Sequence, residues 1–160
     1  TNPMHIGTNS KKLDITKEKQ TKEVSEKLSE LLNAGDIVLF SGEIGTGKTT
    51  FIKYLINHLQ KKNNVHVLEI PSPTFNILNE YKIKNLKIFH YDLFRLKDAK
   101  ELENIGKISD QKDSLVLVEW PNLIKNNISN FINLVFNYED NLNKRSLIIS
   151  SKNNKIIDEF

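Results

Sequence analysis

Residues 37–55 read IVLFSGEIGTGKTTFIKYL. The four apolar residues Ile37–Phe40 suit a short buried strand. The glycine-rich stretch Gly42–Gly47 is a turn, and from Lys48 onward the apolar residues recur at helical spacing. The turn spells G-x-x-x-x-G-K-[ST]. Glycine at 42, 45 and 47 lets successive backbone N–H groups point inward around an anion, and the N-terminus of the following helix adds its dipole at the same point. In this pattern Lys48 reaches β- and γ-phosphate oxygens, and the Thr49 hydroxyl takes a place on Mg²⁺. The stretch therefore predicts strand, phosphate loop and helix, and a nucleoside triphosphate site.

The chain has 160 residues, enough for one domain with a real core, read as 4–160. Thr1-Asn2-Pro3 before Met4 reads as a tag remnant. A hydrophobic fraction of 38% with 27% charged residues suits an ordinary soluble protein. The net charge of +3 permits an acidic partner or RNA without requiring one, and the scattered lysines read as a solvated surface. With no cysteine, disulfides, thiolate metal sites and cysteine nucleophiles are excluded. No apolar run is long enough to span a bilayer, so the expectation is a cytoplasmic protein acting on neither membrane nor DNA.

Outward from the loop, residues 12–16 read as a first strand. A helix capped at or near Thr16 runs to about Asn33, with Val24, Leu28, Leu31 and Leu32 as its apolar face and Gly35 as a left-handed C-cap. Phe51, Tyr54, Leu55 and Leu59 form the stripe of the helix after the loop. Residues 65–70 read as a strand leading into Pro71-Ser72-Pro73-Thr74-Phe75, where two prolines fix the backbone. This is either a rigid turn or a loop that brings Thr74 to the γ-phosphate in the manner of a GTPase switch. Residues 76–82 and 86–94 read as a hairpin around Lys84-Asn85, and residues 98–105 as a short helix.

Carboxylates at strand ends mark the rest of the site. Asp92 follows Ile88, His90 and Tyr91, in the position of a magnesium-linked or water-orienting acid. His90 reads as a packed residue before a ligand, and Arg95 either complements phosphate charge or pairs with Asp92. Leu115–Val118 run straight into Glu119, a buried strand ending in an acid, as in the Walker B arrangement. Trp120 is either a core cover or a contact surface. Residues 131–138 and 146–151 read as two further strands, and Lys152–Phe160 as an added edge strand or a mobile tail.

In order and separation, SGEIGTGKTTF, SPTFNILNEY, HYDLFRL, ELENIG and LVEWP resemble the TsaE family (formerly YjeE), P-loop ATPases of bacterial tRNA threonylcarbamoyladenosine synthesis. The resemblance spans about Thr16 to Ser150. It implies an α/β three-layer sandwich of P-loop NTPase type with a mixed parallel and antiparallel sheet. It also implies that the segment Glu43, Ile44, Gly45, Thr46, Gly47, Lys48, Thr49, Thr50 holds ATP. Thr49 and Glu119 are then the Mg²⁺ ligands, and Lys48, Asp92 and Glu119 the catalytic group. Thr74 and Trp120 are implied to be switch or partner-sensitive positions, with further nucleotide contacts near Thr21 and near residues 143–145. Glu43 and Thr46 stand where the family usually has Asp and Ala, changes that leave a backbone-built anion site intact. The implied activity is slow hydrolysis of ATP to ADP, in concert with the TsaD and TsaB proteins, which act on adenosine 37 of tRNAs reading codons that begin with A. Two rival readings are a small-molecule kinase sharing the loop and a nucleotide-sensing interaction module.

Overall fold

The computed structural model describes residues 9–66, 77–98, 100, 108 and 111–160. At its centre β2 (Ile37–Gly42) lies between two parallel neighbours, β5 (Ser114–Glu119) and β6 (Ile132–Glu139). The strand β4 (Leu86–Asp92) adds in parallel to β5, and β3 (Leu78–Ile83) closes that side antiparallel to β4. On the other side β7 (Lys144–Ser151) pairs antiparallel with β6, and β1 (Asn9–Asp14) antiparallel with β7. The seven-stranded order is β1-β7-β6-β2-β5-β4-β3, the mixed α/β sheet expected. All six residues of β5 are buried, as a parallel strand covered on both faces requires.

One face is covered by α1 (Glu18–Leu31), α2 (Lys48–Lys62) and α3 (Asn154–Asp158), which enclose the larger core cluster. Within it Phe40, Phe51 and Phe136 form an aromatic triangle with centroids 5.6–6.2 Å apart. These rings come from the last turn of β2, the first turn of α2 and β6. Each aromatic pair adds about 0.5–1.5 kcal/mol to area burial, so the triangle fixes both ends of the phosphate loop on rigid elements. The other face holds Leu39, Tyr91, Val116, Val118, Ile124 and Ile128. Among the described residues it is covered by loops and by two single-turn 3₁₀ helices, Pro121–Leu123 and Lys125–Asn127.

The helix α1 is capped beside Thr16, as expected, by Lys17, whose amide donates to the Gln20 side chain (2.8 Å); the Thr16 hydroxyl is engaged by Arg145. Other local expectations are corrected. Gly35 does not cap α1. The chain has already left helical geometry at Leu32, and the Asp36 carboxylate receives the Asn33 amide (2.7 Å), while Gly35 (φ +96°) donates to Ser114 O three residues past the cap. In α2 the stripe is completed by Ile52 and Ile56, whereas Tyr54 is half-buried and donates its hydroxyl to Glu18 on α1 (2.8 Å).

The tail adds no edge strand, because β1 already occupies the free edge of β7. Asn153 Oδ1 accepts the Lys155 amide (3.0 Å) and starts α3, which turns Ile156 and Ile157 together into the core. Adjacent isoleucines share a helical face but would split across a strand. Of the strand expected over residues 65–70, Val65 and His66 carry no regular structure, and the remainder lies outside the described residues. The loop containing Thr74 and most of the helix expected over 98–105 lie outside them as well.

Candidate functional site: a phosphate-loop cleft at the carboxyl ends of the parallel strands

The loop from Gly42 to Lys48 leaves β2 at the centre of the sheet, where Gly42, Gly45 and Gly47 all adopt positive φ (+140°, +86° and +107°). Gly42 is required by a close approach: a Cβ there would fall 2.4 Å from the Phe136 carbonyl oxygen. Within the turn Glu43 O accepts from Thr46 N (3.3 Å) and Thr46 Oγ1 (2.6 Å), closing the loop on itself. Glu43 and Ile44 stand exposed at its apex.

A cleft of about 320 Å³ opens above the loop, lined by residues that include Lys48, Thr49, Thr50, Asp92, Glu119 and Trp120. Three separate segments thus converge on one cleft. The Lys48 ammonium donates to the carbonyls of Gly42 and Glu43 and stands 3.9 Å from the centroid of the Trp120 ring. Burial pushes its pKa below the ordinary lysine value, and the carboxylates of Glu119 and Asp92 oppose that shift. Trp120 itself takes a left-handed backbone (φ 58°), donates its amide to Phe40 O and packs against Phe94 at 4.7 Å. It is therefore part of the cleft wall.

Thr49 Oγ1 donates to Glu119 Oε1 at 3.2 Å, and Glu119 is 2% exposed. Asp92 registers directly opposite Glu119. Burial raises the Asp92 carboxyl above its usual range, opposed by the Phe94 amide that donates to Oδ1 (3.1 Å) and reinforced by Glu119. Arg95 is exposed, and among the described residues it forms no ion pair with Asp92. Among the described residues no group of three or more His, Cys, Asp or Glu side chains gathers to cage a metal. The converging hydroxyl and carboxylate of Thr49 and Glu119 are hard oxygen donors, a set that suits an ion taking its remaining ligands from water and phosphate.

Some participants are not visible in local sequence. His90 Nε2 lies 2.8 Å from Glu119 Oε2, with the ring fully buried. The i, i+2 spacing of His90 and Asp92 on one strand face was the available signal. Arg145, near which the family resemblance implied a contact, does line the cleft. Its backbone amide donates to Thr16 Oγ1 and its guanidinium to Thr16 O, both at 3.1 Å. Thr21, also implied near the nucleotide, is buried in α1.

Residues 15–147 match the family model described as "Threonylcarbamoyl adenosine biosynthesis protein TsaE". The chain belongs to the TsaE family. A relative from Rickettsia felis, named "tRNA threonylcarbamoyladenosine biosynthesis protein TsaE", is 40% identical over 113 residues, 71% of this chain and 64% of its own length. The protein of the same name from Rickettsia conorii is 33% identical over 149 residues, 84% of this chain and 83% of its own. That from Aquifex aeolicus is 34% identical over 110 residues, 69% and 76% respectively. The crystal structure of YdiB from Bacillus subtilis superposes with a TM-score of 0.71, covering 95% of this chain and 92% of that one at 21% identity, so the two chains share a fold. Among the described residues no helix is long and apolar enough to cross a membrane.

Proposed function

We propose that this chain is the ATP-binding and ATP-hydrolysing subunit of the machinery that installs the threonylcarbamoyl group on adenosine 37 of tRNAs reading codons that begin with A. It would act in the cytoplasm with Mg²⁺ and with the TsaD and TsaB proteins, meeting tRNA through that complex. The observation carrying this reading is the Thr49–Glu119 pair at 3.2 Å beside the Lys48 ammonium, at the mouth of a glycine loop. Family membership supplies the biological setting.

In this reading the loop amides from Glu43 to Thr49 and the dipole of α2 bind the triphosphate, and the ammonium of Lys48 exchanges its carbonyl partners for phosphate oxygens. Thr49 and Glu119 would hold Mg²⁺, which when bound neutralises charge developing on the transferred phosphoryl group. Asp92, kept close by its strand register with Glu119, orients the attacking water, and hydrolysis leaves ADP and phosphate. Trp120, resting on Lys48, is placed to sense whether that lysine faces the loop or a nucleotide. With Thr74 it forms the partner-sensitive part of the reading.

Phosphate release by the purified protein with TsaD, TsaB, tRNA and Mg²⁺ tests the proposal. Hydrolysis is expected, falling about 100-fold or more in Lys48→Ala as the charge on the phosphates is lost. No hydrolysis with all partners present, together with intact tRNA modification in cells carrying Lys48→Ala, would sink it. Accumulation of a phosphorylated small molecule would favour a kinase, and binding without single-turnover hydrolysis a nucleotide-sensing module.

A further inference from the structure

His90 sits inside β4 with its side chain shut off from solvent. Strand alternation puts Ile88, His90 and Asp92 on one face of β4, and Leu115, Leu117 and Glu119 on the same face of β5. His90 registers opposite Leu117, which makes Glu119 its diagonal neighbour, within reach of a long side chain. The two carboxylate oxygens of Glu119 consequently have separate partners: Oε1 accepts from Thr49 Oγ1 (3.2 Å), and Oε2 meets His90 Nε2 (2.8 Å). Among the described residues the buried Nδ1 of His90 has no hydrogen-bond partner. A ring that carries its proton on Nε2 donates to the carboxylate and leaves only the Nδ1 lone pair unmet.

We propose that His90 is a positioning residue: its Nε2–H fixes the rotation of the Glu119 carboxylate, so that Oε1 faces Thr49 before any ligand arrives. The inference rests on the reading of Thr49 and Glu119 as the cation side of a nucleotide cleft. A carboxylate anchored through one oxygen presents the other in a single orientation. Without the anchor the side chain samples rotamers that turn Oε1 away, and cation affinity falls while the phosphate cradle is untouched. Partners of this kind commonly change metal affinity 10–100-fold when removed.

Calorimetric titration with AMP-PNP, in Mg²⁺ and separately in EDTA, tests this on wild type, His90→Leu and His90→Gln. The expected result is that His90→Leu weakens binding in Mg²⁺ at least about tenfold and leaves binding in EDTA within about twofold. His90→Gln, which keeps an N–H at similar reach, recovers most of the loss. If His90→Leu weakens both titrations alike, or neither, the inference is overturned and the cleft reading stands. If wild type gains nothing from Mg²⁺, the cleft reading fails and takes the inference with it. A second measurement needs neither ligand nor variant. Long-range ¹H–¹⁵N spectra of the wild-type protein should show His90 carrying a proton on Nε2, and a ring with no proton on Nε2 overturns the proposal.

Discussion

Alanine at Gly42 is expected to be far more damaging than alanine at Gly47, although the two glycines stand equal in the motif. A Cβ built on Gly42 lies 2.4 Å from the Phe136 carbonyl oxygen and 2.9 Å from Phe136 Cβ, about 1 Å inside ordinary contact for the oxygen. The obstacle is backbone, not a side-chain tip: Gly42 and Phe136 are register partners of β2 and β6. Making room means parting the strands where the aromatic triangle joins them. Overpacking of this kind costs about 1–3 kcal/mol, and the positive φ adds about 1–2 kcal/mol for a residue with a Cβ, about 2–5 kcal/mol together. At Gly47 the nearest atom to a new Cβ is Arg145 Nη1 at 3.6 Å, so only the backbone term of about 1–2 kcal/mol remains. Gly45 falls between, since the Tyr138 hydroxyl at 2.7 Å is the end of a side chain that can swing. In urea denaturation, at a slope of about 2 kcal/mol/M, the midpoint of Gly42→Ala should drop by about 1–2.5 M and that of Gly47→Ala by about 0.5–1 M. Equal losses at the two positions, or a larger one at Gly47, would refute the assignment of Gly42 to strand packing.

Thr16→Val should destabilise the fold by about 1–3 kcal/mol in the same assay, because the amide of Arg145 loses its acceptor at a part-buried junction; Thr16→Ser should be close to neutral. Asp36 provides a pH dependence. Burial raises its carboxyl above the usual carboxylate value, with the Asn33 amide opposing, so the folded state holds the proton more tightly and stability contributed by this group is lost as pH rises through the folded value. Asp36→Asn, which keeps an acceptor for Asn33, should therefore match or exceed wild-type stability at pH 7, and the difference should shrink as pH is lowered toward 4.5. A difference that grows on acidification would refute the sign.

Elements specified by neighbouring residues were legible in the sequence: the loop at 42–49, the buried run ending at Glu119, and the hairpin turning at Lys84, whose φ of 54° suits the turn read there. Contacts that depend on register were not. Thr16 and Arg145 are 129 residues apart, and their bond exists only because β1 and β7 pair so that Asp14 meets Ser146. The pairing of His90 with Glu119 requires β4 and β5 to be adjacent, parallel and in a particular register, none of which a single strand's pattern encodes. The tail misled for a related reason. Two adjacent isoleucines in a polar segment gave no period, and whether β7 had an edge to offer was a question of topology.

Strand order also sets the two acids at different distances from the loop. Glu119 ends β5, which lies beside β2, and registers with Phe40. Asp92 ends β4, one strand further out, and registers with Glu119. Neighbouring strands lie about 4.8 Å apart, so the backbone of Asp92 is nearly twice as far from the strand that feeds the phosphate loop. Glu119 accordingly reaches the Thr49 hydroxyl at the first turn of α2, while Asp92 engages the Phe94 amide on its own side. A carboxylate at 92 cannot take over the contact with Thr49 without crossing a strand spacing that its side chain does not span. The two acids are therefore distinct in position before any ligand is considered: Glu119 belongs with Thr49 and the loop, and Asp92 with the outer wall formed by Phe94.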